Sequence, residues 1–295
     1  MFDMIDSKKR FSEDIRRGGD PLLIKSCDGI EQFLQHLDNT TLVNAELIIA
    51  SIYNPTASYE NPYQFLGNFF KFIHVNYVEK YRELICEIIE ASNSRRYLSV
   101  ALCGRSVIEA TASLRFYNLT ILKKARISGK KDLEGIDKQF VQDAFDLAIK
   151  HLNGSKMDWG LFFTSDKKTF VSSLVEREKR RLKKEPSTKV NYIESYPIYK
   201  FLDAWFDDEP ELVALAYNFY SELVHPNLGS NLLLMGIDEG KIQIGKNSNR
   251  SIGKSICKES IKFLAPVVRE ASLQLANSIL LSSLGDEIDS STINH

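Results

Sequence analysis

Apolar residues recur at steps of three and four along almost the whole chain, and this periodicity is the feature that most limits the possible folds. The spacing places apolar side chains on one face of an α-helix. Eight prolines and fifteen glycines are concentrated between the periodic stretches, where turns are expected. The sequence therefore predicts an all-α fold, a helical bundle.

The periodic stretches set the predicted helices and the organisation of the chain. We expect helices at about residues 8–17, 27–37, 40–53, 62–92, 95–125, 135–152, 166–184, 195–206, 209–225 and 252–284. Two short apolar runs, 232–237 and 241–245, flank an acidic-glycine turn and predict a small β-hairpin after the His-Pro turn at 225–226. We expect an N-terminal helical segment (1–56), a bundle (57–284) with a charged insertion at about 126–195, and a flexible tail (285–295), with residues 1–26 and the insertion peripheral.

The length, composition and charge of the chain limit the functions that it can have. A chain of 295 residues, 43% hydrophobic and 26% charged, is long enough for one large or two modest cores. The formal net charge of -1 argues against an overall electrostatic grip on nucleic acid, although local basic patches remain. The first six residues carry acids where a signal peptide needs bases, and no stretch approaches the ~20 apolar residues of a membrane span. We expect a cytoplasmic protein with no membrane association.

No metal or cofactor site is predicted. The four cysteines lie far apart with no C-x-x-C pair, and they read as reduced core residues. The five histidines do not combine with them in a zinc-site spacing, and no nucleotide-binding or hydrolase motif is present. We therefore expect no metal and no cofactor.

Arg105 and Glu109 interrupt a helix that is otherwise apolar around most of its circumference. One turn separates them, so their side chains can meet. We expect both to face the core, in line with Leu98, Ala101, Leu102, Ala112 and Phe116. Two interpretations stay open: a structural ion pair, or a functional pair that lines a pocket.

A second polar stripe lies on the helix at 209–225, where Asn218, Ser221, Glu222 and His225 follow three- and four-residue steps. The apolar face of this helix is expected to hold Leu212, Leu215, Ala216, Phe219 and Leu223. Pro226 disfavours helical geometry at His225, so the imidazole should end the last turn, either as a C-terminal cap or as an acid/base group. If the two long helices pack side by side, Arg105, Glu109, Glu222 and His225 are expected to converge in one pocket closed by Asn227.

Two tracts, 102–110 and 217–227, resemble those of an uncharacterised bacterial family that combines an R-S-x-x-E helix with a Y-x-x-x-S-x-x-x-H-P helix end and a short hairpin. That family is similar to the HEPN superfamily of helical bundles in prokaryotic toxins and phage-defence proteins. The resemblance covers about residues 60–125 and 200–280. Catalytic HEPN domains are metal-independent ribonucleases that use a histidine and an arginine, often across a dimer.

The resemblance implies a bacterial defence or toxin-type effector that cleaves RNA, with His225 as acid/base, Arg105 as electrostatic stabiliser, and Glu109 or Glu222 orienting them. The family's arginine five to seven residues before the histidine is missing, because Asn218, Phe219 and Tyr220 stand there. The alternative is a non-catalytic interaction or dimerisation module whose Arg-Glu-His cluster is structural, with a homodimer or another protein as partner.

Asn218, Ser221 and Asn227 are the candidate substrate contacts beside this pocket. A basic run supplies further candidates for RNA phosphates, although such runs are usually solvated helix faces: Arg180, Arg181, Lys183 and Lys184. The aromatic-rich stretch at 53–81 is expected to fill the core rather than to stack bases.

Overall fold

The computed structural model of the protein describes residues 9–18, 20–39, 62–127, parts of 166–179, 198–225, 235–238, 241–244 and 250–292. In this part of the chain seven helices and two strands follow in order: α1 (Glu13–Arg16), α2 (Pro21–Asp38), α3 (Pro62–Asn93), α4 (Tyr97–Ile127), α5 (Ile198–Asp208), α6 (Pro210–Val224), β1 (Met235–Asp238), β2 (Lys241–Ile244) and α7 (Arg250–Thr292). The predicted all-α helical bundle is confirmed.

Helix boundaries follow local capping chemistry. The carboxylate of Asp20 accepts a hydrogen bond of 2.8 Å from the Leu23 amide, and Pro21 occupies the first position of α2. The predicted helix begins at residue 27, six residues after the observed start, because the prediction did not use the capping signal of Asp20 and Pro21. Proline also begins α6, and α3 to α6 otherwise lie within a few residues of the predicted ranges. Predicted helices at 40–53 and 135–152 fall outside the described residues.

The turn between α3 and α4 holds the chain in an uncommon conformation. Arg95 has φ 59°, in the left-handed region that favours glycine. Its amide donates to the Ser92 carbonyl at 3.0 Å, and the Arg96 amide donates to the Ala91 carbonyl at 2.7 Å, which together form a Schellman ending. The Arg95 side chain donates to Asp14 at 2.8 Å, so the strained residue ties the turn to α1.

The core lies around α4 and α7. Helix α7 packs against α2, α3, α4 and α6, and α4 packs against α3, α5 and α6. The largest fully buried side chains include Trp205, Tyr81, Tyr220 and Phe69. The aromatic stretch is core where it is described, as predicted, because Phe69, Phe70, Tyr77 and Tyr81 are all buried.

The N-terminal segment is part of this core. Phe11, Ile15 and Leu23 are buried in the same hydrophobic cluster as the long helices. The Asn93 side chain accepts from the Ser12 amide at 2.8 Å and donates to the Arg10 carbonyl at 2.9 Å. The expectation that residues 1–26 are peripheral is therefore wrong for the described part. Their apolar residues are too few to show the helical period clearly, but they complete a surface that α3 and α7 supply.

The two strands form the predicted antiparallel hairpin. Met235 pairs with Ile244 and Asp238 with Lys241. Most of the predicted insertion at 126–195 falls outside the described residues. The predicted tail at 285–295 continues as α7 through Thr292.

Candidate functional site

Arg105 and Glu109 form the predicted ion pair on α4. The Arg105 Nε donates to a carboxylate oxygen of Glu109 at 2.9 Å, and the two side chains are 27% and 31% exposed. They are therefore only partly buried. Of the residues expected to share a core face with them, Ala101 and Ala112 are buried, Phe116 is half-buried, and Leu98 and Leu102 are 39% and 48% exposed. The expectation is confirmed for the two alanines and wrong for the two leucines, because a helix that is apolar on most sides does not reveal which side its neighbours cover.

Tyr217 of α6 completes the cluster. Its hydroxyl accepts from Arg105 Nη2 at 3.0 Å and donates to Glu109 at 3.4 Å. The guanidinium carbon also lies 5.2 Å from the centre of the Tyr217 ring, within the range of a cation–π contact. The hydrogen bond to Glu109, the charge of that carboxylate and the Tyr217 hydroxyl together raise the pKa of Arg105 above its usual value. We call these three side chains the Arg105 cluster.

His225 ends α6 as predicted. Its backbone is extended, with φ -70° and ψ 141°, and its amide donates to the Ser221 carbonyl at 2.9 Å. Pro226 imposes this geometry, because proline disfavours the helical region for the residue before it. The His225 side chain is exposed at the end of the helix.

Of the three residues predicted to join Arg105 in a pocket, Glu109 is the one to which its guanidinium bonds. In the described part of the chain, the Arg105 guanidinium is bonded to Glu109 and Tyr217, and neither Glu222 nor His225 takes part. His225 lies eight residues beyond Tyr217, about 12 Å along the helix axis. Glu222 projects about 140° around the helix from Tyr217, at roughly 100° per residue. The prediction followed a polar stripe on α6, whereas the contacts described above with α4 are made by tyrosines of that helix, among them Tyr217.

The predicted apolar face of α6 is confirmed at Ala216 and Leu223, which are buried, and at Leu212 and Phe219, which pack half-buried against the core. It is wrong at Leu215, which is 60% exposed. Tyr220 is buried instead, and its hydroxyl donates to the Ser260 carbonyl of α7 at 2.6 Å inside the core. The sequence did not predict the burial of Tyr220, because this tyrosine stands among polar residues.

The candidate substrate contacts do not share one environment. Asn218 is exposed, whereas the Ser221 hydroxyl is enclosed and has no hydrogen-bond partner within the described structure. Asn227 and the basic run Arg180, Arg181, Lys183 and Lys184 lie outside the described residues.

Among the charged side chains that the structure describes, the most buried one was not predicted from the sequence. Arg115 of α4 is 9% exposed as a residue. It donates to Asp208 of α5 at 2.8 Å and to Glu270 of α7 at 3.1 Å. Glu270 also accepts from Gln274, whose side chain and carbonyl accept from buried Asn118. The sequence signal for this buried charge was that Arg115 stands between Leu114 and Phe116 and lies on the same helix face as Asn118.

The cysteines are free, and two of them are inert core residues. Cys27 and Cys257 are buried, whereas Cys86 and Cys103 are partly exposed. Burial raises the pKa of Cys27 and of Cys257 to about 12, so both thiols stay protonated near neutral pH. They agree with the predicted role in packing.

Comparison with protein-family models, curated proteins and solved structures gave no match. None of the helices in the described ranges is both long and apolar enough to cross a membrane. The function must therefore be argued from the residues and their geometry.

Proposed function

We propose that the protein is a non-catalytic helical interaction module that associates with a second copy of itself, and that the Arg105 cluster is structural. The main support for the proposal is that the Arg105 guanidinium already forms its hydrogen bonds within the chain. It bridges α4 and α6 through Glu109 and Tyr217, both in the same chain. A catalytic cation must instead point to where negative charge develops on the substrate.

The position of His225 supports the same proposal. Metal-independent RNA cleavage, the activity that the family resemblance implies, needs an acid/base group and a cation within bonding reach of one phosphate. In this chain the imidazole ends α6, about two turns beyond the tyrosine that holds Arg105. In the described structure Arg105 bonds to this tyrosine, and no hydrogen bond or ion pair joins it to His225.

An apolar stripe on α7 is the surface that we assign to association. Leu273, Ala276 and Leu280 occupy positions i, i+3 and i+7, so they share one helix face, and all three are exposed. Leu273 is 54% and Leu280 is 53% exposed. Apolar residues at this spacing are typical of the seam of a coiled coil. A second α7 is the simplest partner, because a stripe packed on its own copy is self-complementary under two-fold symmetry.

Two measurements test the proposal. Light scattering on the full chain should give a dimer, and Leu273→Glu with Leu280→Glu should convert it to a monomer with unchanged helical circular dichroism. Leu215→Glu, which charges an equally exposed leucine on α6, is the matched control and should remain dimeric. RNA incubated with the protein in a chelator should stay intact. Cleavage that depends on both His225 and Arg105 would reject the module in favour of a ribonuclease, and a monomeric unmodified chain would reject self-association.

A further inference from the structure

A groove runs between α2 and α7, on helices that do not carry the Arg105 cluster. Its volume is about 570 Å³, within the range of roughly 300–1,000 Å³ that small-molecule sites occupy. Nothing in the proposed association requires this groove. It has to be explained by the residues that line it.

Small residues make the groove wide. Gly29 of α2 faces Ala265 and Ser272 of α7 across it. A β-carbon built at Gly29 would meet nothing within 4 Å, so open space lies over the helix there. Glycine inside a helix costs about 1 kcal/mol relative to alanine, and Pro266 in the opposite wall removes a helical hydrogen bond. Both walls therefore carry residues that weaken a helix and leave room beside it.

The groove is cationic. Its lining includes Lys25, Lys262 and Arg269 and no acidic residue. Lys262 is neutralised, because it donates to Asp20 at 2.8 Å and to Glu259 at 2.9 Å. Lys25 and Arg269, on opposite walls, form no ion pair with any described residue. Two positive charges thus remain for a group that enters from outside.

The floor of the groove is apolar. Phe33 of α2 and Val268 of α7 line it and belong to the hydrophobic core, being 5% and 3% exposed. Leu22 stands at the rim with 59% exposure. An apolar floor below two available cations is complementary to a molecule with an apolar body and an anionic head.

We infer that the groove between α2 and α7 binds a small amphipathic anion. Its carboxylate or phosphate head lies between Lys25 and Arg269, and its apolar body lies over Phe33 and Val268 in the space above Gly29. A neutral or cationic amphiphile of the same length gains only the apolar part of this interaction. A polyanion without an apolar body gains only the electrostatic part.

Calorimetric titration of the full chain tests this inference with four probes: decanoate, decyl phosphate, decyltrimethylammonium and polyglutamate. We expect one decanoate or one decyl phosphate per chain, and the tighter of the two identifies the head. Lys25→Gln with Arg269→Gln should weaken binding by about a hundredfold, since each of the two lost charged hydrogen bonds is worth about tenfold in affinity. Lys80→Gln, at an exposed lysine of α3, is the matched charge control and should bind normally.

Gly29→Leu fills the open space and should abolish binding of the anionic probes while the melting temperature stays equal or rises. Gly29→Ala fills little of it and should keep most of the affinity. Equal binding of decanoate and decyltrimethylammonium, tighter binding of polyglutamate, or undiminished binding to the folded Gly29→Leu variant would each overturn the inference. Absence of binding by both anionic probes would overturn it as well.

Discussion

Tyr220 of α6 lies so close to Gly104 of α4 that a β-carbon at residue 104 would be 2.6 Å from the tyrosine ring. The ring cannot withdraw easily, because it is fully buried and its hydroxyl donates to the Ser260 carbonyl of α7. This contact joins three helices at one point. It also explains why α4 keeps a glycine where alanine would form a better helix.

Gly104→Ala is therefore expected to destabilise the protein. Overpacking of a core costs about 1–3 kcal/mol, which exceeds the gain of about 1 kcal/mol in helix propensity. Urea denaturation should show a net loss of about 1–2 kcal/mol. Gly29→Ala, where the new methyl group meets nothing within 4 Å, is the matched control and should gain up to about 1 kcal/mol. A Gly104→Ala variant as stable as the unmodified chain would show that the α4–α6 contact is loose.

Arg115 should matter more for stability than Arg105. Arg115→Met would leave the Glu270 side chain, which is 13% exposed, buried without its cation, at a cost of about 3 kcal/mol. The Asp208 side chain is 59% exposed, so water solvates its carboxylate when Arg115 is replaced. Arg105→Met should cost about 1 kcal/mol, because Glu109 reaches water. Chemical denaturation of both variants makes the comparison, and adding Glu270→Gln to Arg115→Met should recover part of the loss. Equal losses at the two arginines would contradict this reasoning.

Local chemistry decides what could be predicted from the sequence. Periodicity predicted α3, α4 and α7, and Pro226 predicted the end of α6 at His225, because these signals act within a few residues. The Arg105–Glu109 pair was predictable for the same reason, since both residues lie on one helix.

Contacts between helices could not be predicted from these local signals. Tyr217 joins the Arg105 cluster only after α4 and α6 pack at a particular rotation. Arg115 joins Asp208 and Glu270 only after α4 packs with α5 and α7. The exposure of Leu215 and the burial of Tyr220 on α6 were not predicted for the same reason. An amphipathic pattern with tyrosines on several sides allows more than one rotation, and the packing of Tyr220 against Gly104 selects one of them.

His74 should make stability depend on pH. Burial lowers the pKa of His74 below its ordinary value of 6.5, although its ring contacts the Ser278 hydroxyl at 3.1 Å. Above pH 6.5 the imidazole is neutral in both states and contributes nothing to the pH dependence. As the pH falls below 6.5, the unfolded chain binds the proton first, so the free energy of unfolding decreases until the pH reaches the lowered folded-state pKa.

His74→Gln should therefore flatten the decline of stability between neutral and mildly acidic pH. Urea midpoints for the variant and the unmodified chain, taken at several pH values, give this difference directly. His36→Gln is the informative control, because His36 lies close enough to affect His74 electrostatically but is not the buried group. A decline that persists unchanged in His74→Gln would assign the pH dependence to other residues.

Tyr217→Phe separates the two contacts that the tyrosine makes with Arg105. The variant loses the hydrogen bonds to Arg105 and Glu109 but keeps a ring 5.2 Å from the guanidinium, so it should lose about 1 kcal/mol of stability. Tyr217→Leu also removes the ring and should lose about 0.5–1 kcal/mol more. Tyr199→Phe, at a tyrosine that is 58% exposed, should change nothing measurable. Denaturation curves and light scattering on the same samples measure stability and oligomeric state. If the Arg105 cluster is structural, stability falls in this order while the dimer remains. A Tyr217→Phe variant of unchanged stability would show that the cluster does not stabilise the fold.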